Sequence, residues 1–136
     1  MPETTKLFFV YGTLKEGGYY AGGFNEFRKK VVNATVKGTL YDLGSFPGMR
    51  LEGDNIVHGE VHEYADPEHV TARMDRIEGY AGPGKNNFYE RVKVMASLEG
   101  EEEPVEVETY IFARPIDEDK KVDDGNWVIE KGEEIY

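Results

Sequence analysis

The chain has 136 residues, which fits one domain, since domains commonly run to about 100–150 residues. Hydrophobic residues make up 39% of the chain and aromatic residues 12%, so it is too apolar to be disordered. Acidic residues outnumber Lys and Arg by 27 to 16, and the resulting net charge of −11 argues against binding to nucleic acid or to a membrane surface.

The sequence contains no cysteine, which excludes disulfides, a thiol nucleophile and thiolate metal sites. The apolar stretch Leu7–Val10 is too short for a signal peptide, and no apolar run approaches the roughly 20 residues that span a bilayer. We therefore expect a cytoplasmic globular protein. It is predicted to form a single domain over residues 1–136, with an irregular acidic tail from about residue 117.

Short apolar runs bounded by turn-forming residues predict the strands. They are Leu7–Tyr11, Val32–Leu40, Met49–Leu51, Ile56–Tyr64, Phe88–Ala96 and Val105–Ala113. Residues 12–24 contain five glycines and predict a long loop after the first strand. Asn25–Lys30 is predicted to be a short helix capped by Asn25, and Gly38 is interpreted as a bulge in its strand.

One helix has clear start and stop signals. Asp66 is a favourable cap, and Pro67 suits the first helical position. Apolar residues then recur at helical spacing as far as Ile77, and Gly79 suits the left-handed position after the last turn. About six strands with one such helix predict an α+β fold, with an antiparallel or mixed sheet that curls into a barrel.

The first candidate site is the segment Tyr11, Gly12, Thr13 and Leu14, which follows the first strand. Glycine and a small hydroxyl residue after a strand expose successive backbone N–H groups, which can hold a carboxylate or a carbonyl oxygen. The same residues are also consistent with an ordinary turn from a strand into a loop.

The second candidate is Glu78, in the last turn of the predicted helix. It lies next to Ile77 and three residues after Asp75. The negative helix end, the apolar neighbours and the like charge of Asp75 are all expected to raise the pKa of its carboxyl. Such a carboxyl can accept and return a proton near neutral pH. The alternative is a solvated glutamate at a helix end.

Two further groups lie on predicted strands. His58, Glu60 and His62 alternate along one strand and share a face, so they are either ligands for a divalent metal or a solvent-facing polar edge. Tyr89 and Arg91 share a face of a later strand. They are either a cross-strand pair or a phenol and a guanidinium directed into a pocket.

In their order and spacing, several segments resemble the γ-glutamylcyclotransferase-like family, which includes the γ-glutamylamine cyclotransferases and the AIG2-like proteins. The segments cover most of residues 6–113 and are Phe8–Lys15, Val36–Asp42, Pro47-Gly48, Val57–Val61, Met74–Tyr80 and Phe88–Val92. The resemblance implies a small mixed-strand β-barrel with flanking helices. It also implies a cofactor-free, metal-free cyclisation that converts an L-γ-glutamyl amine into 5-oxoproline and a free amine.

The resemblance also implies roles for particular residues. In that family the tyrosine–glycine loop holds the γ-glutamyl group, and a glutamate accepts the proton. The matching positions here are the loop Tyr11, Gly12, Thr13 and Leu14, and the glutamate Glu78. Tyr89 is predicted to bind substrate as well, because its position at the start of a strand can direct its phenol into the pocket. Residues 16–23 and the acidic tail match nothing in the family pattern.

Two alternatives to this function stay open. One is a non-catalytic module that binds a small molecule on the same fold, since a fold often outlives its activity. The other is a metal-dependent enzyme that uses His58, Glu60 and His62. The sequence does not identify the amine that leaves or the oligomeric state.

Overall fold

The computed structural model describes residues 5–12, 24–43, 47–116, 118–122 and 125. Within these ranges the chain forms eight β-strands and one α-helix. In chain order they are β1 (Thr5–Val10), β2 (Arg28–Lys37), β3 (Thr39–Asp42), β4 (Pro47–Arg50), β5 (Ile56–Ala65), α1 (Pro67–Glu78), β6 (Tyr89–Leu98), β7 (Val105–Phe112) and β8 (Lys121–Val122). No helix in the described part is long and apolar enough to cross a membrane.

Five of the strands close into a barrel in the order β1-β5-β2-β6-β7. Neighbouring strands are antiparallel, except that β1 and β7 run parallel where they complete the ring. A second sheet of order β4-β3-β8 contributes Leu40 and Met49 to the same core cluster as the barrel strands. The predicted α+β fold with a small mixed-strand barrel is confirmed.

Side chains of β1 that point to opposite faces of the strand belong to two different hydrophobic clusters. Phe9 packs in one cluster with Val61, and Phe8 packs in another with Val70 and Met74 of α1. Successive side chains of a strand point to opposite faces, so Phe9 fills the barrel and Phe8 lies beneath the helix. Full burial of a side chain of this size contributes about 1.5–3 kcal/mol, and this attaches α1 to the barrel.

Both ends of α1 lie where the sequence predicts them. The hydrogen bonding at its first turn differs from the prediction. Pro67 occupies the first turn, and Gly79 adopts the left-handed conformation with φ of 68°. The expected side-chain cap at Asp66 is wrong, because Asp66 is itself left-handed and its side chain makes no capping hydrogen bond. Its backbone oxygen instead accepts a hydrogen bond from the Val70 N–H at 3.0 Å.

The short helix predicted at Asn25–Lys30 is also wrong. Phe24 to Phe27 form a turn closed by a backbone hydrogen bond of 3.0 Å, and β2 begins at Arg28. Pairing explains the difference, since β2 lies beside β5 from Arg28 onward. Phe24 is fully buried against Tyr64, with 5.7 Å between the ring centroids. Tertiary pairing and burial therefore override the local helix preference.

Gly38 separates two strands, β2 and β3, where one bulged strand was predicted. A Cβ at this glycine would lie 2.5 Å from the Arg50 backbone oxygen, so the chain bends where another backbone passes close by.

Part of the acidic tail also packs on the barrel. Val122 of β8 pairs with Leu40, and the Gly125 backbone oxygen accepts a hydrogen bond from the His58 N–H at 2.8 Å.

Candidate active site

Glu78 is the last residue of α1, and a tight turn fixes its position. The Gly79 N–H donates to the Arg76 backbone oxygen at 3.3 Å, and the Tyr80 N–H donates to the Asp75 backbone oxygen at 2.8 Å. These bonds satisfy carbonyl groups that the end of a helix leaves unpaired. The Phe88 N–H donates to the Gly79 oxygen at 3.1 Å, so the turn is also attached to the segment that leads into β6.

Burial changes the titration of the Glu78 carboxyl. The residue is half-buried, and burial raises the pKa of its carboxyl to about 8. No ion pair or hydrogen bond joins this carboxyl to another described side chain. Of the three expected causes, burial accounts for the raised pKa of Glu78, and Asp75 is paired with Arg91 at 2.9 Å. A carboxyl with this pKa can hold or release a proton close to neutral pH.

The negative charge of Glu78 acts on three buried tyrosines. Burial raises the pKa of Tyr11, Tyr89 and Tyr110, and the negative charge of Glu78 raises each of them further. Each hydroxyl also donates a hydrogen bond that holds it in place. The three phenols therefore stay neutral and can donate hydrogen bonds, and Glu78 is the group of this set suited to carrying a proton near pH 7.

The Tyr11 hydroxyl bridges two parts of the barrel. It donates to the Tyr110 backbone oxygen at 2.6 Å and accepts from the Met49 N–H at 3.2 Å. The Tyr11 residue is only 7% exposed. The first residue of the candidate loop is therefore fixed against β7 and β4, and its hydroxyl both donates and accepts a hydrogen bond within the protein.

Gly12 lies against the ring of Pro47. A Cβ at position 12 would approach Pro47 Cγ to 2.6 Å, which is closer than real Cβ atoms come to any neighbour. The same proline accepts a hydrogen bond from the Tyr89 hydroxyl at 2.7 Å through its backbone oxygen. Pro47 thus brings Gly12 and Tyr89 together. Thr13 and Leu14, the other two loop residues of the prediction, lie outside the described residues.

Sequence reasoning gave Pro47 no role at the site, and it considered Tyr110 only as one of several aromatic residues that could line a pocket. Pro47 was named only as part of a segment that resembles the family. No local sequence pattern indicates that its ring contacts Gly12, which lies 35 residues earlier in the chain. The signal in the sequence is indirect, since glycine is expected wherever another group comes very close to the backbone. Tyr110 enters through its backbone oxygen and its hydroxyl.

Arg91 belongs to an ion-pair network on the barrel. Its Nε donates to Asp75 Oδ1 at 2.9 Å, and its Nη1 donates to Glu108 Oε1 at 2.7 Å. These bonds join β6 to α1 and to β7. Of the two interpretations offered for Arg91, the structure supports a pair between neighbouring elements. Tyr89 instead directs its hydroxyl to Pro47 and lies in the electrostatic range of Glu78.

His58, Glu60 and His62 do not form a metal site. His58 is exposed, whereas His62 is fully buried. Nε2 of His62 lies 2.8 Å from Glu60 Oε1, and Nδ1 lies 2.7 Å from the Tyr64 hydroxyl and 3.2 Å from Arg28 Nε. Both ring nitrogens are therefore already engaged within the protein. Across the described ranges, no group of three or more His, Cys, Asp or Glu residues is arranged to hold a metal ion.

Comparison with known proteins gives a consistent result. The sequence profile of the family described as gamma-glutamyl cyclotransferase, AIG2-like, matches residues 8–129. A curated relative from Niallia circulans, named gamma-L-glutamyl-butirosin B gamma-glutamyl cyclotransferase, is 35% identical over 94 residues. That match covers 68% of this chain and 58% of the relative, so the chain spans less than two-thirds of the relative's length.

Solved structures show the same fold. The YkqA protein of Bacillus subtilis has a TM-score of 0.67 at 24% identity, over 91% of this chain and 40% of that protein. An AIG2-like protein of Mus musculus has a TM-score of 0.60 at 21% identity, over 80% of this chain and 78% of that protein. A protein of Arabidopsis thaliana has a TM-score of 0.62 at 28% identity, over 82% of this chain and 66% of that protein.

Proposed function

Because this chain belongs to the gamma-glutamyl cyclotransferase, AIG2-like family, we propose that it converts an L-γ-glutamyl amine into 5-oxoproline and the free amine. In this proposal Glu78 is the general base and then the general acid. The single observation that supports the assignment most strongly is the burial of the Glu78 carboxyl at the end of α1, which raises its pKa to about 8.

The reaction joins two parts of one substrate residue. The α-amino nitrogen attacks the γ-carbonyl carbon and forms the new C–N bond of a five-membered lactam, while the bond from that carbon to the leaving amine breaks. Nucleophile and electrophile are already tethered, so the protein has only to hold the substrate folded with these atoms close together. The proposed reaction needs no nucleophilic side chain, because the substrate supplies its own.

Two protons leave the α-nitrogen in this scheme, because an ammonium carries three hydrogens and the lactam nitrogen keeps one. The α-amine is largely an ammonium at neutral pH and cannot attack until it loses a proton. The Glu78 carboxylate takes one of these protons and gives it to the departing nitrogen, and the other is released to water, so Glu78 begins and ends each cycle in the same state. A pKa of about 8 favours both halves of the transfer, since the carboxylate is a stronger base than an exposed glutamate and is still ionised in a useful fraction of molecules.

The loop that begins at Tyr11 and Gly12 is the proposed holder of the γ-glutamyl group. Its backbone N–H groups are assigned either to the oxygen of the γ-carbonyl, which gains negative charge during attack, or to the α-carboxylate. The fixed Tyr11 hydroxyl and the contact between Gly12 and Pro47 support this role by keeping the start of the loop in one place. Tyr89 is proposed to line the same site through the Pro47 contact.

The proposed leaving group is the amine that is bound to the γ-carbonyl carbon of the substrate. The Niallia circulans relative is named for γ-L-glutamyl-butirosin B, which is a γ-glutamyl compound. A panel of γ-glutamyl amines and γ-glutamyl peptides, scored for 5-oxoproline by mass spectrometry, tests the reaction and its substrate together.

Glu78→Gln is the matching variant for this experiment. It keeps the shape of the side chain and cannot accept a proton, so turnover should fall by about 10²–10⁴-fold, the usual contribution of general acid–base catalysis. Glu68→Gln makes the same change at an exposed position in the first turn of α1 and should keep wild-type turnover. Full activity in Glu78→Gln would remove the proposed mechanism. Binding of a γ-glutamyl compound without 5-oxoproline formation would instead identify a non-catalytic module.

A further inference from the structure

Four charged side chains of alternating sign connect α1 to the barrel. Lys6 Nζ lies 2.6 Å from Glu108 Oε2, Arg91 Nη1 lies 2.7 Å from Glu108 Oε1, and Arg91 Nε lies 2.9 Å from Asp75 Oδ1. They come from β1, β7, β6 and α1, and their formal charges sum to zero. The Asp75 and Glu108 side chains are only 20% and 11% exposed, so this row is partly shielded from water.

The row ends next to the candidate site. The Tyr110 hydroxyl donates to Asp75 Oδ1 at 2.5 Å, and the backbone oxygen of Tyr110 holds the Tyr11 hydroxyl at 2.6 Å. The charges of Asp75 and Glu78 both raise the pKa of Tyr110, and the charge of Arg91 lowers it, after the larger effect of burial. The phenol therefore lies within electrostatic reach of Asp75, Glu78 and Arg91 together.

Asp75 and Glu78 are three residues apart on one helix. Side chains at this spacing lie on the same face, about 5–6 Å apart at Cβ, where like charges oppose each other. An unpaired Asp75 carboxylate would therefore disfavour the charged form of Glu78. The Arg91 guanidinium binds Asp75 through two nitrogens, at 2.9 and 3.4 Å, and supplies the opposite charge.

We propose that Arg91 is a positioning residue for the Glu78 site, which anchors the last turn of α1 to β6 and neutralises the Asp75 charge one turn before Glu78. This role rests on the proposed function, since it matters only where Glu78 carries a proton. The residue does not contact the reacting atoms. It acts through Asp75 and through the helix that holds Glu78.

The other groups that face Glu78 in the described part do not replace this effect. Tyr11 of β1, Tyr89 of β6 and Tyr110 of β7 are neutral phenols whose pKa values burial raises. Asp75, three residues before Glu78 on the same helix, and its partner Arg91 on β6 are the charged pair on which the proposal rests; burial sets the wild-type pKa of Glu78. The pair borders an open depression of about 460 Å³ that also includes Arg76 and Tyr80, so water screens the effect in part.

The test is the titration of Glu78 itself, which needs no turnover. The side-chain carboxyl carbon of glutamate is labelled with ¹³C, and the Glu78 signal is identified by its loss in Glu78→Gln. In the wild type the midpoint is expected near pH 8. Arg91→Gln leaves Asp75 unbalanced, so the midpoint should rise by about half a pH unit or more. Asp75→Asn leaves Arg91 without that partner, so the midpoint should fall.

Lys93→Gln is the matched control. It removes one positive charge from an exposed position two residues further along β6, and the Glu78 midpoint should not move. Opposite shifts in Arg91→Gln and Asp75→Asn would establish the role. An unchanged midpoint in both variants, with only a lower melting temperature, would reduce the pair to a structural contact and overturn the proposal. If Arg91→Gln does not fold, the direction of the shift in Asp75→Asn decides alone.

A second measurement separates this inference from the reaction. If the protein forms 5-oxoproline, the pH at which kcat/KM reaches half its maximum should move in the same directions as the Glu78 midpoint. If no γ-glutamyl compound reacts and the midpoints still shift in opposite directions, the proposed reaction fails and the electrostatic role of Arg91 stands. Shifts in the same direction for both variants would exclude charge balance as the cause.

Discussion

The Tyr89 hydroxyl donates a hydrogen bond of 2.7 Å to the backbone oxygen of Pro47. The bond joins the first residue of β6 to the first residue of β4, and it does so beside Gly12, which packs on the Pro47 ring. Tyr89 is 7% exposed, and its ring lies 5.2 Å from the Phe112 ring between centroids. A buried phenol with both its ring and its hydroxyl held in place is suited to shaping a site.

Tyr89→Phe should therefore weaken the fold more than the chemistry. The variant keeps the ring packing and leaves the Pro47 oxygen without its donor, which costs about 1–3 kcal/mol for a buried acceptor. We expect a lower free energy of unfolding in urea and a loss of turnover well below that of Glu78→Gln. A variant with wild-type stability and turnover as low as that of Glu78→Gln would instead assign proton transfer to the phenol.

The stability of the protein should depend on pH through Glu78. Its folded-state pKa is raised from 4.5 to about 8, so folding favours the protonated form. This contribution is fully present below pH 4.5 and is lost as the pH rises through 8. The melting temperature of Glu78→Gln minus that of the wild type should therefore increase between pH 5 and pH 9. A difference that stays constant over this range would show that Glu78 titrates as an exposed glutamate.

Gly12→Ala should destabilise the protein because of one specific contact. The added Cβ would lie 2.6 Å from Pro47 Cγ and 2.8 Å from Pro47 Cδ, and overpacking of this kind typically costs about 1–3 kcal/mol. We expect a lower midpoint in urea denaturation with an unchanged slope.

A double-mutant cycle with Pro47→Ala identifies the cause. Removing the ring takes away the atoms that Gly12→Ala would meet, so the cost of the glycine change should be smaller in the Pro47→Ala background. Equal costs in both backgrounds would mean that position 12 needs glycine for some reason other than the proline ring.

Removal of metal ions should leave turnover unchanged. Both ring nitrogens of His62 are engaged with protein groups, and the proposed chemistry requires no Lewis acid. We expect equal rates of 5-oxoproline release before and after dialysis against EDTA, and wild-type rates for His58→Ala. A rate that falls with EDTA and recovers with zinc would restore the interpretation of His58, Glu60 and His62 as metal ligands.

The sequence alone was sufficient for features that depend on neighbouring residues. Alternation and apolar runs located six of the eight strands in the described part. Pro67 and Gly79 marked the helix ends within a residue. Glu78 could be placed at a helix end because helix stop signals are local, and the hydrogen bonds that end a helix reach only three to five residues. The roles of Glu78, of the loop Tyr11–Leu14 and of Tyr89 in the reaction stay predictions.

Tertiary structure decided the features that depend on distant parts of the chain. The helix predicted at Asn25–Lys30 does not form, because β2 pairs from Arg28 onward with β5, which is more than 25 residues away in the chain. Asp75 was expected to raise the pKa of Glu78, yet burial is the cause of the raised pKa, and Asp75 is paired with Arg91, 16 residues further along the chain. Desolvation and ion pairing act between groups that folding brings together, so their sign at a given carboxyl depends on which side chains surround it, and the local pattern of residues does not contain that information.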